Sequence, residues 1–382
     1  MVSTLPRRFS SAARCCGFGP TSTSACHHHP RAAPRVRDRP YLAGSSSASF
    51  PATIPYASDT FPLRLDPTAQ LGFDSDLDAV GGAVREAIEA HLPHAGAVLF
   101  QGLDRFDCVE PSSASFSRLF ASLRYRSRGY GGGVASRVSL AKDVLTASDD
   151  PAVVSIEPHI EMCYIPEPLP SKIMFFCRTP PANGDEGGQT PIMPIRPLLE
   201  RLDPAIVARF RELGVRYYRH CPDESRTGPH LYSWQRAYFT DNRASVEEQC
   251  RALGYDYAWN EATGMLTTSF VTPALRIDAA SGEELWQNQA TASHHSYYAD
   301  FPEIPADATN NAVDFPGTTS FGNGDPIEPE VIEHIRAKMW ECAVAVPWET
   351  ADLLVIDNNI VAHGRMSFAE DSARSLCVAI AE

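Results

Sequence analysis

From Asp76 to His91 apolar side chains recur at three- and four-residue spacing, at Leu77, Val80, Val84 and Ile88, with Leu92 extending the stripe. That period predicts an amphipathic helix. The run Gly96-Ala97-Val98-Leu99-Phe100, ended by Gln101-Gly102, predicts a short buried strand. Ser112 to Leu123 predicts a second amphipathic helix, with Phe116, Leu119, Phe120 and Leu123 on one face. From about Val134 the pattern changes to short β-like segments separated by Gly, Pro and Asn. Lys172 to Cys177 is the strongest of these, and Asn183 to Gly188 reads as a turn-rich loop. Helical patterns return over 197–214, 245–254 and 329–342. Asp352 to Asp357 and Ser375 to Ile380 then predict two closing strands. No internal repeat is visible. Helices first, then strands with helical insertions, predict an α+β, mainly β fold: an antiparallel β core with helices packed outside. Jelly rolls are one member of that class, and periodicity alone does not choose among its members.

Composition changes this picture at one end. Residues 1–50 hold seven Arg, no Lys and one acid, Asp38, a net of +6 within a chain of net charge −14. Residues 51–382 therefore carry −20. So acidic a body repels phosphate backbones and argues against a nucleic-acid partner. The first 50 residues, rich in Ser, Thr, Ala and Arg, have the composition of a disordered organelle transit peptide for plastid or mitochondrion. A tail without an address, on a cytoplasmic protein, is the alternative. His27, His28 and His29 fall in that leader and are read as part of it. Gly44 to Ser49 reads as the linker to a single domain over 51–382. No stretch approaches the roughly 18 apolar residues of a membrane span. Outside the leader the cysteines form no C-x-x-C pair, so buried free thiols are expected rather than a zinc ribbon or a redox motif.

Three segments carry candidate chemistry. If His159-Ile160-Glu161 lies on a strand, its first and third side chains share a face. An imidazole and a carboxylate together suit Fe(II), and a second His from elsewhere would complete a facial triad with open positions. An isolated His-x-Glu more often means only a hydrogen-bonded histidine. Near the C-terminus a buried strand leads to His363-Gly364-Arg365, and Arg374 opens the final strand. A guanidinium at that distance from a ligating His can clamp the far end of a dicarboxylic co-substrate, or pair with a nearby acid such as Asp371. Gly187-Gly188-Gln189-Thr190-Pro191 pairs a tight turn with a hydroxyl, which a turn residue could equally spend on its own backbone.

Taken in order, these segments resemble the TauD/TfdA-like superfamily of dioxygenases, and within it the clavaminate synthase-like branch. The resemblance runs over roughly 95–380. It includes Pro158-His159-Ile160-Glu161-Met162, Gly187 to Ile192, Phe321-Gly322-Asn323-Gly324, Val344-Ala345-Val346-Pro347-Trp348 and Leu354 to Asn358 with His363-Gly364-Arg365. It implies a double-stranded β-helix (jelly-roll) core. It implies that His159, Glu161 and His363 bind Fe(II), and that Thr190 and Arg374 hold the distal carboxylate of 2-oxoglutarate. The implied reaction consumes O2 and a small-molecule substrate, an amino acid or related acid. Glu161 fills the position that halogenating relatives leave open. Trp286, Asn288, His294 and Arg365 are candidate substrate contacts, with loop histidines the plainer reading of His294 and His295. The segment between Thr190 and Phe321 is where the substrate pocket is expected. Two other classes compete: a non-catalytic jelly-roll binding protein, and a cupin-type metal enzyme that needs no 2-oxoglutarate.

Overall fold

The structure, a computed structural model, describes residues 32–382 except 59, 131–136, 149, 166–167, 183–186, 227–232, 300, 303 and 305–314. Its centre is a seven-stranded sheet facing a four-stranded one. The first predicted helix forms over Leu77–Ala95. The Asp76 carboxylate caps its start by accepting from the Ala79 N–H at 2.8 Å, and Gly96 ends it at φ 71°. A side chain at Gly96 would meet Val361 at 2.8 Å, so the position needs glycine for space as well as for backbone. The second helix spans Ser113–Ser122 behind a Ser112 cap. Both lie on the outer face of the large sheet.

Strands Lys172–Thr179, Leu353–Asp357 and Ser375–Ala381 are neighbours in that sheet and read as nearly unbroken apolar runs. The reason is that both faces are covered. Met174, Phe176, Val355, Cys377 and Ala379 turn outward into the cluster that holds the two helices. Ile173, Phe175, Ile356, Val378 and Ile380 turn inward toward the small sheet. The small sheet runs in the order Val344–Val346, Thr190–Pro194, Val361–Arg365, Ile156–His159, all antiparallel. Helix Pro329–Cys342 packs into the inner cluster, burying Ile332, Ile335, Met339 and Trp340. The helical stretch predicted over 197–214 is two helices, Arg196–Arg201 and Pro204–Leu213, because Asp203-Pro204 restarts it.

The segment between Thr190 and Phe321 builds a second four-stranded sheet. Its order is Gly317–Phe321, Val215–Cys221, Met265–Thr272, Asp256–Asn260. The fold is thus mixed α and β, with most of its strands in several sheets, as the sequence predicts.

One expectation needs correction. Residues 32–50 are not a disordered leader: Val36, Leu42 and Phe50 are buried in the inner core. Arg39 donates to the Ser367 hydroxyl at 2.8 Å and carbonyl at 2.6 Å. The supposed linker packs too, with Ser47 donating to Glu333. Apolar residues spaced among arginines were hidden by the segment's overall composition. His27–His29 lie outside the described residues, as do 183–186 of the predicted loop. Among the described residues the seven cysteines are free thiols, five of them buried. No described helix is long and apolar enough to cross a membrane.

Candidate metal centre

His159 and His363 face each other across two adjacent strands of the small sheet. The antiparallel register pairs them directly, and their ring centroids lie 4.6 Å apart. Gly364 lets the strands approach, since a side chain there would meet the Ile156 carbonyl at 2.4 Å. Glu161 arrives differently from the strand alternation expected of it. The strand stops at His159, and Glu161 sits in the turn that follows, with Ile160 buried. Asn358 fixes that turn by accepting from the Glu161 N–H at 2.8 Å and donating to its carbonyl at 3.0 Å. Glu161 Oε2 then lies 3.7 Å from His363 Nε2.

One ligand atom from each of the three residues lies within 4.8 Å of the others. The protonation chemistry suits a cation. His159 Nδ1 is 2.9 Å from the Glu157 carbonyl, which only accepts, so that nitrogen carries a proton and Nε2 is the one aimed away from the backbone as the candidate ligand atom. Burial, then the neighbouring His159 and Arg137, hold the His363 pKa well below the ordinary imidazole value. A neutral imidazole is the ligating form. Two imidazoles and a carboxylate, side by side and largely dry, fit Fe(II).

The triad opens on a cavity of about 1010 Å³. Thr190 and Arg374 line the same cavity. Trp348 Nε1 donates to Thr190 Oγ1 at 3.1 Å, leaving the hydroxyl proton to point elsewhere. Arg374 is half-buried. Its Nε donates to the Gly188 carbonyl at 2.6 Å, and among the described residues no carboxylate pairs with it. The alternative partner, Asp371, is therefore not taken. Burial, then the nearby Arg365, push the Arg374 pKa down to about 9. A cation in that position gains from an anionic ligand. Gly188 is required by its φ of +76° and because a side chain there would meet Arg374 at 2.8 Å.

The four proposed substrate contacts fare differently. Trp286 does not line the cavity; it is buried edge-on against Phe210. Asn288 is spent on a turn, donating to the Ala274 carbonyl and accepting from Ala290. His294 caps the short helix His295–Tyr298. Arg365 does reach the cavity, but its guanidinium donates to the carbonyls of Asp150, Pro151 and Val154. In each case the side chain is consumed by local structure that a sequence does not display. The walls come instead from Tyr130, Tyr164, Phe175, Tyr217, Phe270 and Gln289. Five of these lie outside any motif singled out by sequence; Phe175 alone lies on the predicted Lys172–Cys177 strand. Arg137 was also missed: its Nη2 is 2.7 Å from Glu161 Oε2.

Comparison with known proteins follows the same line. The family model described as taurine catabolism dioxygenase TauD, TfdA family matches residues 59–380. The dapdiamide synthesis protein DdaC of Enterobacter agglomerans is 31% identical over 290 residues, covering 75% of this chain and 82% of the relative. A clavaminate synthase-like protein of Arabidopsis thaliana is 28% identical over 326 residues, 84% of this chain and 91% of the relative. Among solved structures, PvcB of Pseudomonas aeruginosa aligns with a TM-score of 0.47 at 15% identity, over 86% of this chain and 90% of that one.

Proposed function

The chain belongs to the TauD/TfdA family of dioxygenases, and from that premise we propose that it couples 2-oxoglutarate decarboxylation to hydroxylation of a small polar molecule. The carrying observation is the convergence of His159, Glu161 and His363 in one cavity with an Arg374 that has no carboxylate partner among the described residues. His159, Glu161 and His363 would hold Fe(II) on one face, leaving the cavity side open. Iron there supplies the dioxygen chemistry by which 2-oxoglutarate, O2 and a C–H bond yield succinate, CO2 and an alcohol.

The protein's share is placement. Arg374 takes the distal carboxylate of the co-substrate in a charge-assisted contact. Thr190, one of its two acceptor lone pairs taken by Trp348, donates its proton to the same group. Phe175, 5.0 Å from the His363 ring, walls the site from the core and keeps water from one side of it. The two facing sheets support the double-stranded β-helix reading of the core. The relatives' names, one in dapdiamide synthesis and one clavaminate synthase-like, support an amino acid or related acid as substrate. Residues 1–31, with four Arg and no acid, support an organelle address.

Purified chain supplied with Fe(II), 2-oxoglutarate and a panel of amino acids and small acids should release succinate and take up O2. Glu161→Ala and His159→Ala should do neither. Succinate release at the wild-type rate by either variant contradicts the ligand assignment.

A further inference from the structure

A guanidinium lies against the carboxylate of the metal triad, and no sequence motif marks it. Arg137 Nη2 is 2.7 Å from Glu161 Oε2, with the two side chains 6% and 2% exposed. Its other arm is tied to the main chain. Nη1 donates to the carbonyls of Thr146 at 3.2 Å and Ala147 at 2.8 Å. The Tyr130 ring covers the guanidinium, 4.6 Å from Cζ to the ring centre. Asn358 independently fixes the Glu161 backbone. Glu161 is therefore held at both ends.

We infer that Arg137 is a positioning residue that sets the Glu161 carboxylate in its ligating rotamer before a cation arrives. The inference rests on reading His159, Glu161 and His363 as metal ligands. A carboxylate oxygen has two lone-pair lobes. Arg137 uses one lobe of Oε2 and leaves the other for the space shared with His363 Nε2, 3.7 Å away. The opposite role, in which the guanidinium stands in for the cation and must swing out, needs an arm free to move. Two backbone carbonyls and a stacked ring hold this one. Partners of this kind, one bond removed from a metal, are worth on the order of 10–100-fold in metal affinity.

The test is anaerobic Co(II) binding to the full chain, titrated against a competing chelator. Arg137→Gln should weaken binding by about 10–100-fold, with Arg137→Lys in between, because lysine keeps the charge but loses the fork. In a Glu161→Gln background, Arg137→Gln should add less than about threefold, since Arg137 acts through Glu161. Affinity within about twofold of wild type for Arg137→Gln, while His159→Ala abolishes binding, overturns the inference. So does tighter binding, which would mark a competitor, or a full additional loss in the Glu161→Gln background, which would mark a general packing role. If Arg137→Gln fails to fold, Arg137→Lys carries the test: about three- to tenfold weaker binding supports the role and unchanged binding overturns it. Wild-type affinity retained by His159→Ala would instead overturn the ligand reading, and the inference with it.

Discussion

On the proposed reading, Arg374, Thr190 and Trp348 would divide the work of holding a dianion. Arg374 would supply charge and Thr190 a directed proton, while Trp348 occupies one lone pair of the Thr190 hydroxyl. Arg374→Ala should raise the 2-oxoglutarate Kd by the equivalent of about 2–5 kcal/mol, as when one partner of a buried charged contact is lost. Trp348→Phe keeps the bulk and removes one donor, so about 1 kcal/mol, or roughly fivefold in the same Kd, is expected. Isothermal titration with both variants checks the ranking; a Trp348→Phe effect as large as that of Arg374→Ala contradicts it. The structure brings His159, Glu161, His363, Thr190 and Arg374 to one cavity, and the sequence pointed to these five because each carries chemistry at a telling spacing. Trp286, Asn288 and His294 were not read correctly. Their side chains are used up by core packing, a turn and a cap, and these depend on neighbours distant in sequence. Arg137 left no sequence signal, since its partner is 24 residues on and it lies outside every regular period.

At the scale of elements, periodicity found most helices and the double-faced strands, because those signals are local. It missed the turn that carries Glu161, which is set by Asn358 from across the fold. The strand Leu353–Asp357 that leads to Asn358 begins beside a buried acid. Asp352 is 1% exposed, and one of its oxygens accepts from the Glu349 N–H at 2.9 Å. Burial raises its pKa from the ordinary 3.8 to about 8. The folded chain therefore holds a proton that the unfolded chain releases between those values. Its stabilising contribution is complete below the lower value and is lost as pH rises through the upper one. Asp352→Asn keeps the acceptor and removes the titration. Melting curves should show the variant gaining on wild type as pH rises from 5 to about 8, with little difference near pH 4. A difference that does not change with pH contradicts the argument.

At the scale of the molecule, the N-terminal segment 32–50 acts as part of the domain. It buries Val36, Leu42 and Phe50 and ties Arg39 to Ser367, four residues beyond His363. A chain beginning at residue 51 loses those three side chains, each worth about 1.5–3 kcal/mol when buried. It should melt well below a chain beginning at residue 32; equal melting temperatures contradict the packing role. The same scale explains why the cavity needs the segment between Thr190 and Phe321. The small sheet presents His159 and His363, and the second four-stranded sheet brings Tyr217 and Phe270 to the lining of the same cavity.

All of this depends on one cation meeting three side chains while a diacid reaches Arg374. Anaerobic addition of Fe(II) and then 2-oxoglutarate to the purified chain tests that directly, through the weak visible charge-transfer absorption of a chelated iron–keto acid pair. The band should rise to one equivalent in wild type, be absent in Glu161→Ala, and require a much higher 2-oxoglutarate concentration in Arg374→Ala. No band in wild type, or a full band in Glu161→Ala, would contradict the account.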